Sequence, residues 1–227
     1  MEKVVVSLGG SVLVPDDDDA RYLTDLAALL VDAASRVRLF AVTGGGRPAR
    51  YYIETGRALG ISERTLDGFG IEVTRLNARL LGAALGGKAN RTPASTYAEA
   101  TRLAKRFPIV LMAGTRPGHT TDRVSASLAR VVRADRIVNA TSVDGVYSAD
   151  PRSHPDAKLL ERIGFEDLVR LAGERHTTAG PSVVFDPMAA RVVARDRIPL
   201  RVVHGRDLPS LRSAILGGPF HGTLVSD

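Results

Sequence analysis

Short apolar runs rich in β-branched residues alternate with amphipathic stretches along almost the whole chain. No single motif constrains the fold as much as this alternation. The runs Val4–Leu8, 37–43, Ile109–Met112, 136–139 and Leu200–Val203 are each the length of one strand and too short for a helix. Between them apolar residues recur at helical spacing, as with Leu23, Leu26, Leu29 and Leu30 in 21–35, or Ile71, Leu76, Leu80, Leu81 and Leu85 in 71–86. Further helices are expected over about 47–59, 95–106, 122–133, 165–172 and 187–196. Such runs, joined by helical crossovers, predict a mainly parallel sheet covered on both faces. No repeat, linker or low-complexity stretch interrupts the pattern, so residues 1–227 are expected to form a single α/β domain.

Composition removes several classes of function. There is no cysteine, which excludes disulfides, zinc–thiolate sites and a cysteine nucleophile. No apolar run approaches the ~20 residues that span a bilayer, and MEKVVVSLGG has no basic region ahead of a long apolar core. A cytoplasmic protein without a membrane partner is expected. The net charge of +6 suits anionic ligands. With aromatics at 5%, no tryptophan and scattered arginines, nucleic acid is not among the expected partners. The acidic run Asp16–Asp19 reads as a turn after Pro15 and as helix N-terminal charge rather than a metal site.

In a parallel sheet, ligands gather at the carboxyl ends of the strands. Here those ends carry LGGS (8–11), TGGGRPAR (43–50), AGTRPGHTTD (113–122) and NATSVDGVYSADP (139–151). Glycines let an anion approach the main chain, and a strand–turn–helix start is a phosphate-binding place. Gly44-x-Gly46-x-x-Ala49, with Asp67 about 20 residues on, also fits a loose dinucleotide fingerprint. That match is not on the first strand, and Arg47 and Arg50 directly after the glycines suit terminal phosphates that an arginine grips bidentately. No G-x-x-x-x-G-K-[ST] loop is present.

These stretches, with LDGFGIEVTRLNARLL (66–81) and FDPMAARVV (185–193), occur in the order found in the amino acid kinase superfamily. The chain resembles, within it, the uridylate kinases of the archaeal type. The resemblance covers most of the chain, and GTRPGHTTD combined with NAT-x-VDGVY-x-x-DP carries its specificity. It implies a three-layer αβα sandwich and transfer of the γ-phosphoryl of MgATP to UMP, with Mg²⁺ as the cofactor and the metal ligands unknown. It also implies an N-terminal part mainly for UMP, a C-terminal part mainly for ATP, and a homohexamer built as a trimer of dimers. The leucine stripe of 71–86 serves either that dimer contact or the core.

By the same resemblance Gly9, Gly10 and Gly46 line the ATP phosphates with Arg50 at the phosphate junction, and Thr141, Ser142, Tyr147 and Asp150 form the adenosine side. Gly45, Asp67 and the loop Gly114, Thr115, Arg116, Pro117, Gly118, His119 and Thr120 hold UMP. Asp67 is suited to ribose hydroxyls, and Pro117 with Gly118 sets the loop's bend. His119 reads as a loop contact, because a phosphate acceptor is already ionised and needs no base. Arg50, Asp122 and Asp186 are the expected catalytic set, the two aspartates in organising roles. Asp122 also reads as the N-cap of the helix at 122, and Asp186 as the cap before Pro187. Val143–Tyr147 additionally reads as a hairpin-like turn packed by valine and tyrosine.

One departure stands out. Many superfamily members carry a lysine where this chain has Ser7, and related kinases carry one at Ser142. Charge stabilisation then falls to Arg47, Arg50 and Mg²⁺. Two alternatives follow: a kinase for another small substrate, such as isopentenyl phosphate or an acyl group, and a nucleotide-binding sensor or storage protein without catalysis.

Overall fold

The computed structural model describes residues 1–14, 19–149, 153–154, 156–173 and 185–227. The strands are β1 (Lys3–Leu8), β2 (Arg38–Thr43), β3 (Ile109–Met112), β4 (Arg136–Thr141), β5 (Arg162–Ile163), β6 (Leu200–His204) and β7 (Thr223–Val225). The helices are α1 (Gly10–Leu13), α2 (Asp19–Ala33), α3 (Gly46–Ala58), α4 (Glu63–Ala84), α5 (Tyr97–Leu103), α6 (Thr121–Val132), α7 (Phe165–Ala172), α8 (Pro187–Asp196) and α9 (Leu208–Leu216). The seven strands form one sheet in the order β3-β2-β1-β4-β6-β7-β5.

The first five strands of that order are parallel neighbours, whereas β7 runs antiparallel to β6 and parallel to β5. Alternation along each strand divides the core into two. Val4, Val6 and Leu8 pack with Leu39, Ala41, Ile109 and Leu111 against α2, α4 and α9. Val5 packs with Phe40, Val42, Val110 and Met112 against α6, α7 and α8. Helices on both faces of a mainly parallel sheet give the three-layer αβα sandwich.

Five elements differ from the sequence reading, two of them the short α1 and β5, for which no element was expected. Helix α4 begins at Glu63 rather than near 71, because the Ser62 side chain caps it by accepting from the Thr65 backbone N–H. Gly68 and Gly70, which read as breakers, lie inside it; α3 and α4 pack together there, with the Gly70 carbonyl close to Gly45. Helix α9 and strand β7 were not expected either: Pro209 in the first turn of α9 reads as a breaker, and the three-residue β7 follows the Gly/Pro-rich 217–222. The leucine stripe of α4 serves two ends: Leu81 and Leu85 are buried, whereas Leu76 and Leu80 are exposed. Asp19 lies in the first turn of α2, as its charge suggests, and pairs with Arg206 at 3.1 Å. Asp16–Asp18 lie outside the described residues.

The sheet's N-terminal end is held by arginines. Arg136, buried, pairs with Glu2 and donates from Nε to the Ile215 carbonyl at 3.1 Å. Arg201 donates to the carbonyls of Ala214 and Gly218 and packs over the Phe220 ring at 5.2 Å. Both therefore place positive charge at the C-terminal end of α9, where the helix dipole is negative.

Candidate active site

At the carboxyl ends of β1 and β2 two glycine loops are pressed together. A Cβ built on Gly10 would lie 2.0 Å from the Gly46 nitrogen and 2.4 Å from the Gly45 carbonyl carbon. One on Gly44 would lie 2.6 Å from the Gly10 nitrogen. Gly46 has φ +66°, a left-handed conformation that side chains rarely adopt. The loops are anchored from behind: the Gly9 N–H donates to the Ala140 carbonyl at 2.9 Å and the Gly44 N–H to the Leu8 carbonyl at 2.8 Å. Gly9, Gly10 and Gly46, expected at the ATP phosphates, and Gly45, expected on the UMP side, lie side by side here.

Helix α4 supports this floor with polar residues whose role sequence reasoning missed. Asn77, buried, donates from Nδ2 to the carbonyls of Gly44 (2.8 Å) and Gly45 (3.3 Å). The Thr43 hydroxyl donates to the Thr74 carbonyl at 2.9 Å, and the Thr74 hydroxyl accepts from the Gly114 N–H at 2.9 Å. Thr74 and Asn77 therefore join the loops after β2 and β3. A signal existed: two polar residues, three positions apart, on the same helical face as buried Ala78 and Leu81.

The loop 114–120 after β3 is tied at several points. Asp67 accepts from the Gly118 N–H at 2.9 Å through Oδ2, uniting two expected acceptor-side groups that lie 51 positions apart. Gly118 has φ +78° and turns the chain, as its place after Pro117 suggests. Arg116 donates from Nε to Nε2 of His119 at 2.8 Å, and Thr115 Oγ1 lies 3.3 Å from His119 Nδ1. Burial, followed by the charges of Arg123 and Arg116 and opposed by Asp186, holds the His119 pKa below its ordinary value. The ring is neutral at neutral pH.

Beside this loop stands the acidic pair. Thr120, not Asp122, caps α6: its hydroxyl accepts from the Arg123 N–H at 3.1 Å. Asp122, two residues on in the first turn, reaches the sheet, accepting from the Ser7 hydroxyl at 3.3 Å and from the Asp186 N–H at 3.3 Å. Ser7 meets it because the strand's alternation puts residue 7 on the same side as Val5, toward α6. Asp186 does cap α8, accepting from the Ala189 N–H at 2.8 Å ahead of Pro187. The two aspartates, 64 positions apart, therefore come together at the strand ends.

On the other side of β1, Thr141 ends β4 and its carbonyl accepts from the Gly205 N–H at 2.8 Å. Ser142 is exposed. Tyr147 lies on a hairpin that pairs Ser148 with Lys158 and Leu160 with Val146, as Val143–Tyr147 suggested. Its hydroxyl donates to Asp144 at 3.1 Å, and burial followed by Asp144 raises its pKa, keeping it a donor. Arg50 is exposed on the second turn of α3. Asp150 lies outside the described residues. A cavity of about 470 Å³ lies at the opposite end of the sheet, among Lys3, Arg38, Phe40 and Lys105. Lys3 and Arg38 there already donate to the carbonyls of Val132 and Phe107, at the ends of α6 and α5.

A parallel sheet with this strand order, glycine loops in backbone contact and an acidic pair beside them defines a phosphotransferase of the amino acid kinase type. The chain belongs to the amino acid kinase family, whose model matches residues 2–204. Among curated relatives it is similar to the uridylate kinases of Methanoculleus marisnigri (44% identical) and Methanocorpusculum labreanum (42%), each alignment covering 100% of this chain and 97% of the relative. Among solved structures, the uridylate kinase of Archaeoglobus fulgidus superposes with a TM-score of 0.89 at 39% identity, covering 100% of both chains. The UMP kinase of Bacillus anthracis has the same fold, with a TM-score of 0.83 at 21% identity.

Proposed function

We infer that this chain is a UMP kinase, transferring the γ-phosphoryl group of ATP to the phosphate of UMP to give UDP and ADP. The junction of the β1 and β2 loops carries the reading. Donor and acceptor phosphates must be held in line, and a peptide floor assembled from two adjacent strand ends lets two polyanions come close to the main chain. The full-length likeness to uridylate kinases supports UMP as the acceptor. An isoprenoid acceptor needs a long apolar cleft, whereas the loop at 114–120 offers hydroxyl, guanidinium and backbone groups.

In this reading Gly9, Gly10 and Gly46 serve the ATP phosphates, and Thr141, Ser142, Tyr147 and Asp150 the adenosine. Gly45, Asp67 and 114–120 serve UMP. Asp67 Oδ1, unbonded among the described residues, is suited to a ribose hydroxyl. Arg50, close along α3 to the glycine junction, meets charge that shifts between the phosphates, a task for which its always-charged guanidinium is suited. Mg²⁺ enters with ATP and keeps mostly phosphate and water ligands, so one or two carboxylates suffice. Asp122 and Asp186 fit that part, and the ion would neutralise phosphate charge. No group of three or more metal-ligating side chains occurs among the described residues. Ser7 contributes no charge; it orients Asp122.

The hexamer belongs to the same proposal. Tyr51, Tyr52, Phe69, Leu76 and Leu80 expose apolar surface on α3 and α4, two helices packed on each other, and a second copy is the partner such a surface fits. None of the described helices is long and apolar enough to cross a membrane. The test is ADP release with MgATP and UMP, CMP, dUMP, AMP or isopentenyl phosphate. Stimulation by UMP is expected. UMP binding without turnover by any acceptor would replace the enzyme with a nucleotide-binding protein.

A further inference from the structure

The loop 114–120 is braced from within by one ring. Because Arg116 donates from Nε to His119 Nε2 at 2.8 Å, Nε2 carries no proton, and the ring proton sits on Nδ1, facing Thr115 Oγ1 at 3.3 Å. Both ring nitrogens are thus engaged by residues three and four positions earlier. The ring closes the loop across Gly118, itself held to α4 through Asp67. The Arg116 guanidinium is consequently fixed by Nε alone. Its two terminal nitrogens make no hydrogen bond or ion pair among the described residues. A guanidinium oriented through Nε, with that pair left over, is a ready fork for two oxygens of one anionic or carbonyl-bearing ligand.

We propose that His119 is a positioning residue that acts on the acceptor nucleotide through Arg116, holding that guanidinium as the loop's nucleotide-reading fork rather than touching the nucleotide itself. The proposal rests on the UMP kinase reading and deepens it. Arg116 gains more from the nucleotide when its rotamer is set beforehand, since freezing a long side chain on binding costs affinity. The neutral ring supplies that setting, and the loop's acceptor needs no general base.

The experiment is steady-state ADP release at saturating MgATP, with UMP varied, for the native chain, H119A, H119Q, R116A and H119A/R116A. H119A and R116A are each expected to raise KM for UMP about tenfold, with kcat within about twofold and KM for ATP unchanged, as suits loss of one charge-assisted contact. The double variant is expected to be no worse than R116A, because His119 works through Arg116. H119Q, whose side-chain oxygen can accept from Arg116 Nε, is expected to recover most of the affinity. Nitrogen-15 spectra of the ring are expected to report the Nδ1-protonated tautomer in the native chain and its loss in R116A. Additive effects in the double variant, a fall in kcat with KM unchanged, or no rescue by H119Q would each overturn the proposal. A native chain that shows no UMP-stimulated release overturns the kinase reading itself, and this inference with it.

Discussion

Replacing Gly10 with alanine tests whether the backbone junction of β1 and β2 is the floor of the reaction. The new Cβ would stand 2.0 Å from the Gly46 nitrogen, 2.4 Å from the Gly45 carbonyl carbon and 2.6 Å from the Gly46 Cα, all backbone atoms that cannot swing aside. Reaching even 3.0 Å, a distance real Cβ contacts hardly ever fall below, requires the loops to part by about 1 Å. The hydrogen bonds from Gly9 to Ala140 and from Gly44 to Leu8 hold both loops to the sheet, so the shift is concentrated at the glycines. Overpacking of this kind costs on the order of 1–3 kcal/mol of stability. A displacement of about 1 Å between reacting groups costs turnover roughly a hundredfold. We therefore expect Gly10→Ala to remain folded by circular dichroism, melt several degrees lower, and lose about two orders of magnitude in kcat for UMP-dependent ADP release. Retention of more than half the native kcat in a folded G10A protein would falsify the idea that this contact sets the phosphate geometry.

Three further outcomes are expected. Asp122→Asn turns one carboxylate oxygen into a donor facing the Ser7 hydroxyl or the Asp186 N–H, so kcat should fall at least about a hundredfold while binding of UMP persists by calorimetry; near-native turnover removes Asp122 from the centre. Leu76→Glu with Leu80→Glu places charge on the exposed face of α4 and should shift sedimentation to a smaller species with little loss of secondary structure; an unchanged sedimentation profile removes that face from the assembly. Asp207 caps α9, and its pKa is depressed by the Ser210 N–H first, then the Ser210 hydroxyl, His221 and His204. A depressed carboxylate stabilises above its ordinary range, near pH 4, and loses that contribution as pH falls through its folded value. Asp207→Ala should cost about 1 kcal/mol at pH 7 and progressively less toward pH 3, followed by urea unfolding; a cost that grows on acidification contradicts the assignment.

The parallel strands and most helices were legible because burial on two faces writes short, unbroken apolar runs, and amphipathic helices write a 3.6-residue period. What escaped was structure held by tertiary partners. Strand β7 is three residues long and is defined by β6 and β5 rather than by its own composition. The start of α4 was hidden by Gly68 and Gly70, whose low helix propensity is overridden by the Ser62 cap and by packing on α3. At the site, the glycines, Asp67 and the acidic pair could be named from motifs. Their connections could not: that Thr120 caps α6 and frees Asp122 to meet Ser7 and Asp186 depends on the relative position of β1, α6 and α8. Ser7 illustrates the point, since it looks like a lost lysine in one dimension and is a hydrogen-bond donor to the acidic centre in three.

The placement of β7 has a consequence for how the molecule is made. Strand β5 joins the sheet through β7, and the hairpin in the connection between β4 and β5 is fastened to the same strand, where the Val146 N–H donates to Thr223 Oγ1 at 2.8 Å and the Leu224 N–H to the Glu161 carbonyl at 2.8 Å. During synthesis the half of the molecule that carries Tyr147 emerges from the ribosome long before the strand that clamps it. Until β7 inserts, β6 is an open edge and the hairpin that carries Tyr147 stays unclamped. A nascent chain therefore closes this edge of the sheet only when Thr223–Val225 emerge, and if Tyr147 serves ATP as proposed, the donor side is the later of the two nucleotide sites to be completed.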